Sequence, residues 1–407
     1  MIMTNILFVG NAHSAKSLYE YNKKYKSNQV NPQQTFDYAI VEGLSKNAKV
    51  TALSIPPIPT YPRSKCIYNP LKREKINENL TIVHIPILNI IILKMIIISM
   101  FTFVYIIYFN FINRKLKKQL ILGYLLFYIA IPALLAKKIT KNKIHIIVPD
   151  IPELLYGYDS SISKYRRYLI NSTLFIYKLI EDRFDSYILI TKYMNEIINK
   201  RNKPFLVIEG LIINEEIEEI GYIKNENTSK HRIVYAGTLH EKYGIKNLVN
   251  AFQLIDSKEI ELHIYGNGDF SDSLKIISKN RNNIFYHGSI SRNQILDIER
   301  NATLLVNPRP TSEEFTKYSF PSKILEYMIS GTPVITTKIL GIPKEYDDYL
   351  FYFNSDDSLT MAKDLKRIME LNIQDLIKKG IEAREFVIAN KNNIKQAEKI
   401  LNFIDMI

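Results

Sequence analysis

The chain has 407 residues, of which 46% are hydrophobic and 23% charged, a composition that excludes an intrinsically disordered protein. This length exceeds what one compact core accommodates, so we expect two domains. The formal net charge is +13, and it is unevenly spread: residues 1–225 hold 30 lysines and arginines against 17 acidic residues, whereas the remainder holds 24 of each. A basic first half suits an anionic partner, such as a membrane surface, a nucleic acid or a phosphorylated lipid.

Short apolar runs alternate with helical stretches along the first half of the chain. The N-terminal segment lacks the basic stretch and long apolar core of a signal peptide, so we expect no export. A single cysteine, Cys66, excludes an internal disulfide and fits a reducing compartment. Strands are predicted at 6–9, 49–55, 80–85, 118–122, 143–148, 186–190 and 205–208, and helices at 33–44 and 125–138. Buried strands separated by helices are typical of a parallel sheet covered on both faces.

Residues 90–112 form a long apolar stretch, followed by the basic run 114–118. About 20 apolar residues can cross a bilayer, so a transmembrane span is one interpretation. A span would put the strands before and after it on opposite sides of the membrane, and we therefore expect a buried or membrane-dipping helix of the first domain. The basic runs 114–118, 137–143 and 164–167 would then face anionic headgroups, each charge contributing roughly 1 kcal/mol. An ordinary solvated surface is the alternative for each run.

The second half repeats the alternation of strands and helices. Strands are predicted at 232–236, 261–265, 284–286, 303–306 and 333–336, with helices between them that include 247–254 and 322–330. Residues 214–230 are polar, acidic and poor in aromatics, which is typical of a linker. We therefore predict a first lobe over 1–213 and a second lobe from residue 214 onward.

Ligands of doubly wound lobes bind beyond the carboxyl ends of the strands, so the strand-to-helix turns are the places to inspect. Glycines stand at several of these turns, where a backbone amide can approach a phosphate closely. The turns are Gly10–Ser14, Gly237–Leu248 with Lys242, Gly266–Asp269 and His287–Ile290. Neither the dinucleotide-binding G-x-G-x-x-G nor the P-loop pattern occurs. Each of these turns taken alone is also compatible with a plain tight loop.

The densest motif runs from Tyr318 through a Phe-Pro-Ser-Lys sequence into a helix, followed by Ser-Gly-Thr-Pro-Val-Ile. Ser322 and Lys323 would lie at the exposed first amides of that helix, facing a phosphate. Glu326, one turn later, would face the same way, and its carboxylate could hold a ribose diol. A surface glutamate on an ordinary helix is the alternative.

Taken in order, the second-half motifs resemble family 4 (group 1) of the retaining glycosyltransferases. The resemblance is clear over 232–350 and weaker in the first half of the chain. There, the turn at 150–153 and the segment 190–194 are still similar to the family. It implies an α/β protein of the GT-B fold, with two doubly wound Rossmann-like lobes and a cleft between them. The second lobe would end at residue 384, and a last helix over 385–407 would cross back to the first lobe.

The resemblance also implies roles for individual residues. On the donor side, Gly237 and Lys242 would flank the diphosphate, and Ser322 and Lys323 would meet its phosphates. Gly266 and Gly268 would shape the pocket for the base beside His287 and Gly288, and Glu326 would hold the ribose. The acceptor side would include Gly10, His13 and Asp150. Asp150 and Glu326 are the catalytic candidates. The donor would be a nucleotide diphosphate-sugar, a UDP- or GDP-sugar being expected and adenine staying open as the base, and no cofactor is expected.

Two departures from the family pattern bear on activity. Thr238 stands where the family often has an arginine, and Tyr318 stands where the first of two motif glutamates is expected. Glu313 or Glu314 could replace that carboxylate. These two departures motivate an alternative hypothesis, in which the chain is a non-catalytic glycosyltransferase-like partner of an active enzyme.

Further expectations follow from the class of enzyme. Retaining transferases of this fold need no protein nucleophile, and the absence of a D-x-D pair in the sequence predicts no divalent metal. We expect a glycan or lipid-linked acceptor used in surface polysaccharide, capsule, glycolipid or cell-wall synthesis. The expected location is cytoplasmic, on the inner face of the cell membrane. No nucleic-acid-binding motif is present, so no nucleic-acid partner is expected.

Overall fold

The computed structural model describes residues 4–25, 32–156, 164–214 and 230–407. The chain divides into two compact units, one of Met1–Leu211 with Asn393–Ile407 and one of Ile212–Asn392. The predicted linker over 214–230 lies outside the described residues, except for its two end positions. The side chains of Lys164–Arg166, within the third basic run, are likewise not described.

The first unit is a strand–helix alternation, as the apolar runs predict. Its strands are β1 (Asn5–Gly10), β2 (Lys49–Ser54), β3 (Tyr68–Asn69), β4 (Lys72–Lys75), β5 (Leu80–His84), β6 (Ile87–Leu88), β7 (Lys118–Leu122), β8 (Ile144–Val148), β9 (Ser186–Leu189) and β10 (Phe205–Val207). Its helices before the crossover are α1 (Ala15–Tyr25), α2 (Pro32–Leu44), α3 (Ile91–Ile112), α4 (Phe127–Thr140), α5 (Pro152–Tyr156), α6 (Lys164–Ile180) and α7 (Met194–Ile198). β1, β8 and β9 are buried along their whole length.

The first sheet has eight strands in the order β10-β9-β8-β7-β1-β2-β5-β4. Its pairs are parallel as predicted, except at one edge, where β4 runs antiparallel to β5. The prediction of a parallel sheet is wrong there because a short turn joins the two strands. Asn77 closes that turn, its side-chain oxygen accepting from the amides of Asn79 and Leu80 at 2.8 Å each.

Helix α3 carries the apolar stretch, and most of it is exposed. Only Ile98, Thr102, Ile106 and Phe109 are buried, at helical spacing on one side. Of the two predicted alternatives, a buried or a membrane-dipping helix, the structure does not support the buried one, since only 17% of the most apolar window of α3 is covered. Its length and composition would suffice to cross a membrane. A single crossing would separate β5 from β7, however, and both belong to the same sheet.

The second unit is built around a six-stranded parallel sheet in the order β13-β12-β11-β14-β15-β16. Its strands are β11 (His231–Ala236), β12 (Ile260–Tyr265), β13 (Ile284–Tyr286), β14 (Leu304–Asn307), β15 (Val334–Thr337) and β16 (Phe351–Phe353). Its helices are α8 (Ile245–Gln253), α9 (Ser271–Asn280), α10 (Arg292–Arg300), α11 (Phe315–Tyr318), α12 (Lys323–Ile329), α13 (Ser358–Met369) and α14 (Ile373–Asn390). A core of aliphatic side chains from β11, β12, β14 and the covering helices holds the unit together.

The last helix, α15 (Asn393–Met406), belongs to the first unit, as the predicted crossover requires. It begins later than the predicted start at residue 385. Ala397, Ile400 and Ile404 join the core of that unit. Gly43 of α2 permits this packing, because a Cβ at that position would overlap the carbonyl oxygen of Asn393.

Candidate functional site

The carboxyl ends of β11, β12 and β13 converge on three glycines. Gly266 follows β12 with a φ of 131°, and its amide donates to the carbonyl of Gly288 at 2.8 Å. A Cβ at Gly266 would overlap the carbonyl oxygen of Gly237, so only glycine lets these two turns approach. Gly268 lies equally close to the backbone of Leu239. The predicted residues Gly237, Gly266, Gly268 and Gly288 are thus brought together at one edge of the sheet.

Helix α12, which carries the predicted serine, lysine and glutamate, is tied to this edge by a buried tyrosine. The hydroxyl of Tyr327 donates to the carbonyl of Ala236 at 3.0 Å and accepts from its amide at 2.9 Å. Ala236 directly precedes Gly237, and Tyr327 is 1% exposed. This contact, which the sequence motifs did not indicate, places α12 next to the turn at Gly237.

Lys323 and Glu326 face the same way, as their spacing predicts, and they hold each other. The ammonium nitrogen of Lys323 lies 2.7 Å from Oε1 of Glu326. Ser322 is the exposed residue just before α12, and its side chain makes no capping hydrogen bond. The lysine and glutamate predicted to bind phosphate and ribose therefore form an ion pair when no ligand is bound.

A third charged group, Glu299 at the end of α10, lies beside this pair. It is fully buried, and neither carboxylate oxygen has a hydrogen-bond partner among the described residues. Burial, reinforced by repulsion from Glu326, raises the pKa of Glu299 to about 8. Its Oε1 lies 3.9 Å from Nζ of Lys323, within ion-pair range, but the raised pKa indicates a protonated carboxyl at neutral pH. We therefore assign the lysine's ion pair to Glu326.

The predicted base-pocket residue His287 belongs to a stack of rings across β12 and β13. Its ring lies 4.5 Å from that of Tyr265 and 5.2 Å from that of His263, nearly parallel to both. Nε2 of His287 lies 3.0 Å from Nδ1 of His263, whose other nitrogen lies 3.2 Å from Glu261. Burial lowers the pKa of both histidines, which keeps the stack uncharged at neutral pH. A flat, neutral surface of this kind is suited to stacking a nucleobase.

The loop from Gly237 to α8 carries the predicted Lys242. This lysine is exposed, in a short 3-10 helix, and its Nζ lies 5.3 Å from the ring centre of Tyr243. Thr238 is exposed, and its carbonyl accepts from the hydroxyl of Tyr235 at 2.8 Å. Arg309 lies in the neighbouring loop, which follows β14. The sequence motifs did not single it out. Its guanidinium carbon lies 5.0 Å from the centre of the Tyr243 ring.

Tyr318, at the position of the missing motif glutamate, is buried at the end of α11. Glu313 is half-buried and Glu314 exposed just before that helix. No hydrogen bond or ion pair is described for either carboxylate.

In the first unit, Gly10 ends β1 against a buried carboxylate that the sequence motifs missed. Asp37 of α2 accepts from the amide of Asn11 at 2.7 Å and from the side chain of Gln33 at 2.6 Å. A Cβ at Gly10 would lie 2.6 Å from the same carboxylate. Burial raises the pKa of Asp37 to about 7. Gly10 therefore makes room for this internal network.

His13 is 1% exposed, with Nε2 2.8 Å from the carbonyl oxygen of Ile55. Its ring stacks on that of His84 at 5.3 Å, and burial lowers the pKa of His13 to about 3. A neutral histidine so enclosed is part of the core of the unit. Asp150, in contrast, lies in an exposed turn after β8, although desolvation by surrounding protein raises its pKa.

Within the described ranges, no three histidine, cysteine, aspartate or glutamate side chains are grouped closely enough to hold a metal ion.

The family model described as "Glycosyl transferases group 1" matches residues 230–371, which fall in the second unit. No curated protein matches the chain. Several solved structures match over nearly its full length. HepE from Anabaena, in complex with UDP, has a TM-score of 0.63 at 11% identity and covers 99% of this chain and 100% of its own.

Two further structures show the same similarity. The trehalose-6-phosphate protein from E. coli bound with UDP-2-fluoro glucose has a TM-score of 0.64 at 11% identity, covering 99% of both chains. The lipopolysaccharide outer core galactosyltransferase WaaB, in its apo form, has a TM-score of 0.58 at 14% identity, also covering 99% of both. The chain thus has the GT-B fold, and the family model for group 1 glycosyltransferases matches the part of the chain in which the motifs resemble that family.

Proposed function

We propose that the chain transfers a sugar from a nucleotide diphosphate-sugar to a membrane-associated or glycan acceptor, with retention of configuration and without a metal ion. The observation that carries the donor assignment is the convergence of Gly237, Gly266 and Gly288 beside Lys323 and Glu326. Similar structures hold UDP or a UDP-sugar, which supports a nucleoside diphosphate as the leaving group.

The chemistry requires a developing negative charge on the leaving diphosphate to be stabilised. Backbone amides at the glycine turns and the ammonium of Lys323 are suited to this task. Glu326, released from the lysine when phosphate takes its place, becomes free to accept from the ribose hydroxyls. The ion pair between Lys323 and Glu326 therefore holds both side chains ready before the donor arrives. Asp150, at the exposed turn after β8, stays our proposed acceptor-side carboxylate.

The first experiment is a thermal-shift panel of UDP, GDP, ADP and CMP, with and without magnesium. A ligand at about 100 times its dissociation constant stabilises the folded state by about 2.7 kcal/mol, which raises the melting temperature measurably. We expect one nucleoside diphosphate to stabilise the chain equally well without magnesium. No stabilisation by any nucleotide would favour the non-catalytic partner subunit that Thr238 and Tyr318 suggest.

Variants then test the site itself. Lys323→Met and Glu326→Gln should each weaken binding of that nucleotide by about tenfold, since each removes a charged hydrogen-bonding group. Lys338→Met is the matched control, because Lys338 is an exposed lysine of the same unit that pairs with Asp347 at 3.0 Å. Full nucleotide affinity in the Lys323 and Glu326 variants would refute the assignment of the donor site.

We further propose that the first unit rests on the cytoplasmic face of the membrane through α3. The support is a stripe of exposed apolar side chains at fourfold spacing along this 22-residue helix: Ile92, Ile96, Met100, Val104 and Tyr108, which are between 47% and 67% exposed. A soluble protein seldom leaves so long an apolar face uncovered. α4, which packs on α3, adds Ile131, Leu135 and Ile139, exposed at the same spacing.

Positive charge lies at the end of that stripe. Arg114 and Lys115 directly follow α3 and are exposed, and no carboxylate pairs with either among the described residues. Lys117 and Lys137, by contrast, are held by Asp405 and Asp185. The basic runs therefore contribute fewer headgroup contacts than their sequence count suggests. An apolar helix lying in the interface, flanked by a few free cations, binds best to anionic bilayers.

Sedimentation with phosphatidylcholine vesicles, with and without phosphatidylglycerol, tests the membrane proposal. Val104→Glu should strongly reduce binding, because it puts a charge in the centre of the apolar stripe. Ile276→Glu, at a residue of α9 that is 64% exposed, is the control for the same chemical change elsewhere. Equal vesicle binding by both variants would exclude α3 as the contact, whatever the result of the nucleotide panel.

A further inference from the structure

Arg309 is a cation held in place without a carboxylate. It follows β14 between Pro308 and Pro310, in the loop that leads to α11. Its guanidinium carbon lies 5.0 Å from the ring centre of Tyr243 and 5.7 Å from that of Phe315. Those two rings meet edge to face, with centres 6.0 Å apart. The guanidinium thus lies against both aromatic side chains, and the prolines on either side of Arg309 restrict the backbone.

The polar contacts of Arg309 do not neutralise it. Nη1 donates to the hydroxyl of Ser319 at 3.3 Å, and the charged or titratable groups near it are the hydroxyls of Tyr243 and Tyr235. No carboxylate of the described chain forms an ion pair with it. The contrast is Lys391, a cation of the same unit that is 1% exposed and is paired with Glu345 at 2.7 Å.

Removing a cation from water costs several kcal/mol unless an opposite charge compensates. A partly buried arginine without such a charge is therefore poorly explained as a device for stability. An anion that binds beside it would supply the missing compensation. The planar guanidinium matches a phosphate or diphosphate group, to which it can donate two parallel hydrogen bonds.

The position of Arg309 points to the proposed donor site. The carbonyl of Pro308 fits against Gly244 so closely that a Cβ at that glycine would overlap it. Gly244 ends the loop that begins at Gly237, and the ring on which the guanidinium lies belongs to Tyr243 of the same loop. Thr238 stands in that loop at the position where the family often has an arginine, so Arg309 of the neighbouring loop can supply the guanidinium that position 238 lacks.

We propose that Arg309 binds the diphosphate of the nucleotide-sugar donor and so selects nucleoside diphosphates over monophosphates and nucleosides. This inference rests on the proposed function and adds to it the group that reads the diphosphate. Contact with the rings of Tyr243 and Phe315 orients the guanidinium before the ligand arrives, which reduces the conformational entropy that the side chain loses on binding.

The test compares dissociation constants for a nucleoside diphosphate, its monophosphate and its nucleoside, the base being the one that the wild-type chain prefers. Arg309→Met keeps the length of the side chain and removes the charge. We expect its affinity for the diphosphate to fall by about tenfold or more, while affinity for the nucleoside changes little. Arg309→Lys keeps the charge but not the planar guanidinium, so its affinity for the diphosphate should lie between that of the wild type and that of Arg309→Met. Arg367→Met, at an exposed arginine of α13 near Asp364, is the control.

Each outcome decides the matter. Equal losses for diphosphate and nucleoside would mean that Arg309 only supports the loop, and unchanged diphosphate affinity would mean that it does not touch the ligand; either result overturns the inference. If Arg309→Met does not fold, the ratio of diphosphate to nucleoside affinity in Arg309→Lys decides by the same criterion. A wild-type chain that binds no nucleotide would instead refute the proposed function, and this inference with it.

Discussion

The hydroxyl of Tyr327 offers a sharp test of how the second unit assembles its site. Strand β11 pairs with β14 as far as Val234, which lies opposite Leu305. Two residues further on, both backbone groups of Ala236 bond to the Tyr327 hydroxyl instead. One side-chain oxygen thus satisfies a buried amide and a buried carbonyl where the strand ladder ends. We expect Tyr327→Phe to remove both bonds while keeping the ring.

The size of the effect follows from burial. Ala236 is 3% exposed and Tyr327 is 1% exposed, so water cannot replace the lost partner without disturbing the packing. An unsatisfied buried backbone group costs about 1–3 kcal/mol, and two such groups should lower the free energy of unfolding by about 2–6 kcal/mol. The same change releases the start of α12 from the turn at Gly237, so nucleoside diphosphate affinity should also fall.

The assay is urea denaturation followed by far-ultraviolet circular dichroism, since the chain has no tryptophan to report by fluorescence. Tyr349→Phe is the control, because Tyr349 stacks on Phe386 in the same unit and no hydrogen bond is described for its hydroxyl. A Tyr327→Phe variant as stable as the control would show that Ala236 is satisfied in another way, and the reasoning would be wrong.

Further predictions concern the glycine turns and the buried glutamate. Gly266→Ala should prevent the approach to Gly237 and destabilise the second unit severely. Gly288 also has a positive φ, but no atom lies within 4 Å of the added Cβ, so Gly288→Ala should cost only about 1 kcal/mol of backbone strain. Similar melting temperatures for the two variants would contradict this prediction. Glu299 has its pKa raised to about 8 in the folded state, so the folded chain binds the extra proton and stability should fall as pH rises from about 4.5 through 8. Glu299→Gln should remove that fall, which pH-dependent denaturation measures, and an unchanged pH profile would show that the carboxyl does not titrate in this window.

Much of the fold could be predicted because local sequence dictates it. Short apolar runs such as Ile6–Val9 and Leu304–Val306 are buried on both sides in a covered sheet, and each of these two runs predicted a strand that the structure contains. Gly266 and Gly268 also marked the turn after β12 in the sequence, whereas the close approach of Gly237 and Leu239 that excludes larger residues there is visible only in the structure. The shared direction of Lys323 and Glu326 follows from helical spacing alone.

The features that escaped prediction depend on contacts between residues far apart in the chain. Ala236 and Tyr327 are 91 residues apart, and nothing in either segment indicates their contact. Glu299 resembles a solvent-exposed helix residue until the neighbouring helix covers it. Arg309 becomes informative only when its partners are known, because a lone arginine in a loop is usually solvated.

For helix α3 the sequence predicted a buried or a membrane-dipping helix and could not choose between the two. A helix that is apolar on all sides is read as buried, since a soluble protein gains by covering it. The structure buries one side, along Ile98, Thr102 and Ile106, and leaves the other exposed. Composition cannot distinguish a core helix from one covered by lipid; only the packing of the neighbouring helices does.

The two units should therefore respond differently to salt. Residues 226–407 carry equal numbers of acidic and basic residues, so no long-range field concentrates an anionic donor there, and binding depends on a few cations in direct contact. The excess charge lies in the first 225 residues, where exposed cations such as Arg114 and Lys115 attract an anionic bilayer. Raising the salt concentration shortens the range of such interactions to a few ångströms. We expect salt to release the chain from phosphatidylglycerol vesicles at concentrations that leave nucleotide affinity nearly unchanged. Equal sensitivity of both would mean that the two binding events share the same charges, contrary to the separation of roles argued above.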